Sequence, residues 1–157
     1  MPTGDVHSIS IQGKHDALPH PHVVVVDLPD TCFVIPAFDT TGTELNEALR
    51  ELQRVYGLFS HEACVETDNR KRVTFVPGVT GKESTWFIAR FRLLSPAEVA
   101  RHRKVGTMDD QGLLEIAEGL LRFAQAQPAR VPKKYLKRIQ KLAADLRDRI
   151  AKRSSGP

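Results

Sequence analysis

The chain has 157 residues and a formal charge of +4, with 41% hydrophobic and 27% charged residues. That is room for one domain with a helical appendage and too apolar for a wholly disordered chain, while apolar runs such as Val23-Val24-Val25-Val26 are too short to span a bilayer. The two cysteines, Cys32 and Cys64, lack CxxC spacing, which argues against a disulfide framework or a cysteine zinc site and fits buried thiols in a reducing cytoplasm.

The opening Met1-Pro2-Thr3-Gly4-Asp5 has no basic start and no apolar stretch, so no secretory signal is expected. The charge is uneven. From Ala126 onward there are ten Lys/Arg against Asp145 and Asp148, whereas the rest holds 13 basic and 17 acidic residues. A mildly acidic body carrying a basic tail points to a polyanion, an acidic partner, or a solvated helix face.

In chain order, His7, Ile9 and Ile11 alternate with Ser8 and Ser10, the period of a half-buried strand. Val23–Leu28 and Cys32–Pro36 are strand-like, with a Pro29-Asp30 turn between them. Leu45, Leu49, Leu52 and Tyr56 recur at helical spacing, with Thr43 as the capping candidate and Gly57 as the stop. Ala63–Thr67 and Arg72–Pro77 read as hairpin arms around Asp68-Asn69-Arg70-Lys71, and Pro77-Gly78 and Thr80-Gly81-Lys82 mark further turns. Trp86–Leu94 reads as one strand, with Trp86, Ile88, Arg90 and Arg92 sharing a face. Short strands with regular turn signals predict a small antiparallel barrel of about five to seven strands.

Three helices are expected after it. Ser95-Pro96-Ala97-Glu98 carries the signature of a capped helix start, with Gly106 as its end. Thr107–Asp110 opens a second helix with Leu113, Ile116, Ala117, Leu120 and Ala124 as its stripe, closed by Pro128. A last helix runs from about Pro132 to about Ile150 on Tyr135, Ile139, Leu142, Leu146 and Ile150, with Lys134, Arg138 and Lys141 along an exposed row. The expected division is a barrel with packed helices over 1–127 and a basic helix and tail over 128–157.

The order of motifs resembles the MazF/PemK (Kid-like) toxin family. Gly4-Asp5-Val6, then His20-Pro21-His22-Val23-Val24-Val25, then Val34-Ile35-Pro36 are similar to that family's Gly-Asp start, Arg-Pro-x-Val-Val-Val strand and Val-x-Pro segment. Val65-Glu66-Thr67-Asp68-Asn69 looks like its strand ending in Asp-Gln, and Lys104–Leu113 is similar to its Ile-Gly-x-Leu-Ser-x-x-x-Leu helix start. The resemblance covers residues 4–124. It implies a mainly β fold with helices: a small SH3-like antiparallel barrel followed by C-terminal helices. It also implies a cytoplasmic, commonly homodimeric endoribonuclease without cofactor. Such a toxin cuts single-stranded RNA by metal-independent 2′-OH attack and is neutralised by a cognate antitoxin.

That chemistry needs a base for the 2′-OH proton, an acid for the leaving 5′-oxygen, and stabilisation of the phosphorane charge. Where the family has its arginine this chain has His20, which shuttles protons but offers no permanent bidentate clamp. The family's hydroxyl after Val-x-Pro is displaced here within Pro36-Ala37-Phe38-Asp39-Thr40-Thr41. Thr40 is the expected hydroxyl donor, with Asp39 as the other occupant of that place. Asp68 matches an aspartate of some members, although Glu66 stands where an arginine is common. His20, Thr40 and Asp68 are thus the catalytic candidates, and Arg70, Lys71, Arg90 and Arg92 the RNA-binding ones. Each has a structural counterpart: a loop histidine, a strand end with a helix cap, a solvated turn, and the outer face of the barrel.

Other readings stand beside this one. His7, His15, His20 and His22 fall within 16 residues, a pattern able to ligate a transition metal, with Asp16 as the nearest further ligand; no metal is expected. No glycine-rich phosphate loop, GxSxG or HExxH occurs. The alternatives are a non-catalytic RNA-binding or regulatory module on the same barrel, and a protein-interaction module docking an acidic partner on the basic helix.

Overall fold

The computed structural model describes residues 2–10, 19–40, 42–81 and 83–155. Its strands are β1 (Asp5–Ser10), β2 (Pro19–Asp27), β3 (Cys32–Asp39), β4 (Val65–Thr67), β5 (Val73–Phe75), β6 (Ser84–Trp86), β7 (Arg92–Leu94) and β8 (Lys104–Met108). The helices are α1 (Thr43–Tyr56), α2 (Ser60–Ala63), α3 (Asn69–Arg72), α4 (Pro96–Ala100), α5 (Asp110–Ala126) and α6 (Lys133–Ser154). All strand pairs are antiparallel, and the path β4-β6-β3-β2-β1-β8-β5 curls into a half-barrel, with β7 pairing β3 off that path. The mixed antiparallel-sheet and C-terminal-helix architecture is as expected. Closure is not: β4 and β5 remain as the ends of the path, each only three residues long, which keeps the exposed edges small.

The main core lies inside the curl and under α5 and α6. Val23, Phe33, Ile35, Trp86 and Phe87 meet Leu113, Ile116, Leu120, Tyr135 and Ile139 there. The stripe of α6 thus packs on the body, with Tyr135 tilted against Phe33 at 5.5 Å between ring centroids. A register shift between Val24 and Val26 in β2 sends Val25 and Val26 into this core. Val24 joins a smaller outer cluster with Ile9, Cys32, Val34, Leu94 and Val99 of α4.

Several expectations are corrected. The two arms around Asp68 do not pair with each other; β4 pairs β6, β5 pairs β8, and α3 lies between them. Trp86–Leu94 is not one strand, because a 3-10 turn at Ile88–Arg90 separates β6 from β7. The cause is on the neighbouring strand. Pro36 has no N–H to give the edge partner, so β3 pairs β7 before it and β6 after it, and Phe87 N–H donates to the Pro36 carbonyl at 2.8 Å.

Gly106 ends no helix; it sits inside β8 between β1 and β5. A Cβ there would stand 2.8 Å from the Thr74 carbonyl oxygen, so only glycine lets the strands close up. Gly42, not Thr43, is the cap residue of α1, while Gly57 ends that helix at φ 67° as expected. Ser95 caps α4 through the Glu98 N–H at 3.1 Å. The cap of α5 is Asp109, whose carboxylate accepts from Gly112 N–H at 2.8 Å. Ile11, His15, Asp16, Thr41 and Lys82 lie outside the described residues.

Candidate functional site

Strand β2 begins Pro19-His20-Pro21, and residues before proline are held extended, so His20 enters the sheet edge-on opposite Ile9. Its Nδ1 lies 3.1 Å from the Ala37 carbonyl oxygen and its Nε2 3.2 Å from Glu44 Oε2. The ring leans on Phe38 at 4.7 Å. A carbonyl accepts only, so Nδ1 carries a proton, and the Glu44 carboxylate offers Nε2 a second acceptor. The imidazole is therefore gripped on both nitrogens, 15% exposed, while its carboxylate partner is 46% exposed.

This pair borders a cleft of about 440 Å³ that is also lined by Ser8, Asp39, Thr43, Asn69 and Ser84. Asp39 terminates β3, Glu44 stands in the first turn of α1, Asn69 opens α3 and Ser84 opens β6. The Asn69 wall is fixed from behind, where the buried Trp86 donates from Nε1 to Asn69 Oδ1 at 3.0 Å and Thr67 Oγ1 at 3.2 Å. Trp86 is wholly buried, so it does not share an outer face of the barrel with Arg90 and Arg92.

The other expected residues are distributed as follows. Thr40 Oγ1 is 3.1 Å from Thr85 Oγ1, and Thr85 lines a second cleft instead. Asp68 caps α3 by accepting from Arg70 N–H at 3.1 Å. Thr40 and Asp68 thus neighbour the cleft residues Asp39 and Asn69 in sequence but spend their side chains elsewhere. The Arg70 side chain reaches Asp68 and Glu83, each at 3.7 Å. Lys71 is exposed. Arg90 pairs with Glu51 at 3.2 Å. Arg92 donates to the Ser10 carbonyl at 3.2 Å and to His22 Nε2 at 3.1 Å.

His22 differs from its neighbour. Fully buried, it donates from Nδ1 to the His20 carbonyl at 2.8 Å and accepts from Arg92, so both nitrogens are satisfied by the neutral ring. Burial, with Arg92 beside it, pushes its pKa down to about 3. Its Nε2 lone pair is taken by Arg92 and is not directed at His20. Among the described residues, no group of three His, Cys, Asp or Glu side chains is arranged to hold a metal ion.

The residue that sequence reasoning missed is Glu44. An acid in the first turn of a helix reads as complementing the helix dipole, and nothing in the chain joins it to His20, 24 residues earlier. A scan of the sequence against protein-family models finds no match, and neither does a search of curated proteins.

Proposed function

We propose that this protein is an endoribonuclease that cleaves single-stranded RNA by 2′-OH attack without a metal ion. In this reading it is a divergent, cytoplasmic toxin of the MazF/PemK kind, working as a homodimer with a cognate antitoxin. The observation that carries the reading is the His20–Glu44 pair, a proton donor and a proton acceptor 3.2 Å apart on the wall of an open cleft.

Glu44 takes the 2′-OH proton as the O2′–P bond forms. His20 gives its Nε2 proton to the 5′-oxygen as the P–O5′ bond breaks, leaving a 2′,3′-cyclic phosphate and a 5′-hydroxyl. Transfer of a proton from Glu44 back to His20 resets the pair. Asn69, Thr43 and Ser84 supply hydrogen bonds to the phosphoryl oxygens, and Arg70 and Lys71 position the strand through its backbone. Glu44 takes the carboxylate role that the sequence motif suggests for Asp68. Thr40 supports the sheet through Thr85.

The test is incubation of end-labelled single-stranded RNA with the purified chain in EDTA, with the product ends identified. Cleavage to cyclic-phosphate ends that disappears in a folded His20→Ala variant supports the enzyme. A second reading, a non-catalytic RNA-binding module, draws on the same geometry, since His20 is already bonded on both nitrogens. Binding without cleavage selects it.

A further inference from the structure

We propose that the N-terminal half of α6 is a second RNA contact, a surface for the phosphate backbone of a strand whose scissile end lies in the His20 cleft. The inference rests on the RNA reading above and adds where the affinity comes from. Helix α6 divides sharply by how its cations are neutralised. In the C-terminal half, Arg147 reaches Glu118 at 3.5 Å, Arg149 and Arg153 reach Asp110 at 3.1 and 2.7 Å, and Lys152 reaches Asp148 at 3.1 Å.

In the N-terminal half, Lys133, Lys137, Arg138 and Lys141 are exposed and have no ion pair among the described residues, and Lys134 lies over the Tyr135 ring at 5.0 Å. These cations repeat at helical spacings of three and four, where like charges repel. Lys133 and Lys134 also stand at the positive end of the helix dipole, in a first turn with no acidic residue and no side-chain cap. The fold leaves this repulsion unrelieved, so an outside anion gains what the helix itself does not supply.

The chemistry favours a phosphate backbone over an acidic protein. The row between the cations is polar, and lysine is depleted at protein interfaces, whose energy comes from buried aromatic and apolar anchors. The cleft itself carries Asp39 and Glu44 and is a poor attractor of polyanions. The two places are joined through β3. Tyr135 of α6 packs on Phe33 near its start, and Asp39 ends it at the cleft, about 20 Å farther on. A strand of several nucleotides spans that distance; a very short one does not.

The experiment measures binding of the full chain to a fluorescent oligouridylate of about 20 nucleotides across a salt series. The triple variant Lys137→Gln/Arg138→Gln/Lys141→Gln should bind at least about tenfold more weakly at 100 mM salt. Its salt slope should be shallower by about 2, from three lost contacts at 0.7 each. The control Arg147→Gln/Arg149→Gln/Lys152→Gln removes the same charge from the paired half and should stay within about twofold, and a dinucleotide, too short to reach both places, should not distinguish the two.

Equal loss in both variants, no loss in either, or polyglutamate binding as tightly as RNA overturns the proposal. Cleavage of the short RNA in EDTA is scored separately. Cleavage with an unaffected α6 variant sinks this inference and spares the enzyme, whereas α6-dependent binding without cleavage does the reverse.

Discussion

Strand β6 divides two clefts: Ser84 lines the one that holds His20, and Thr85 lines the other, between α1, α2 and α5. The second is the larger, about 560 Å³, and its wall carries Glu66, Glu115 and Glu118 beside Arg122, His61 and Cys64. Burial, with Glu66 nearby, pushes the Cys64 thiol up to about 12, so almost no thiolate exists at neutral pH. The smaller cleft holds an imidazole locked against a carboxylate. Volume does not select between the two; the presence of a matched proton donor and acceptor does.

Four tests probe that contrast, beginning with the strongest. His20→Ala should reduce RNA cleavage by about a thousandfold, the usual worth of a general acid, while Cys64→Ala in the other cleft should leave the rate unchanged; gel-resolved cleavage rates decide. An equal effect of both would dissolve the distinction. Glu44→Gln should cost about a hundredfold in the same assay with circular dichroism unaltered.

Trp86→Phe, in the strand between the clefts, removes the indole N–H shared by Asn69 and Thr67, which keep their own hydrogen bond from Thr67 Oγ1 to Asn69 Oδ1 at 3.0 Å. A stability loss of about 1 kcal/mol, the net worth of a hydrogen bond, is expected from urea titration.

The fourth test concerns His22, the buried histidine of β2. His22 stays neutral in the folded protein down to about pH 3, whereas the unfolded chain takes the proton at its ordinary pKa near 6.5. Between these values the unfolded state binds more protons. Stability should therefore fall by about 1.4 kcal/mol per pH unit as pH drops well below 6.5 and be indifferent to His22 above it. Urea midpoints measured at several pH values for wild type and His22→Gln isolate that slope. An identical slope in both would mean His22 is not the group responsible.

The legible part of the fold is local. The stripes of α5 and α6, the Ser95 cap, the Gly57 stop and the β-branched β2 and β3 are all readable because each depends on periodicity or on a single residue's backbone preference. Strand β8 was masked by a glycine that looks like a helix stop, and the break at Ile88–Arg90 is caused by a proline on another strand. The site was readable by half. His20 was marked by its place in a motif, whereas Glu44 was hidden because its partner is distant in sequence. Asp68 looked functional for the same local reasons that make it a good cap.

What the amino-acid order determined was therefore one histidine ahead of a valine strand, a sheet-rich body and a cation-rich closing helix, each encoded in neighbouring residues. The curl of the sheet decided the rest. It brought α1 over the start of β2 so that Glu44 meets His20, turned Trp86 inward to brace Asn69, and packed α6 against α5 so that Asp110 and Glu118 reach the later cations of α6. Ion pairs and clefts depend on distances in space, and spacing along a chain leaves those distances open until the strands have paired.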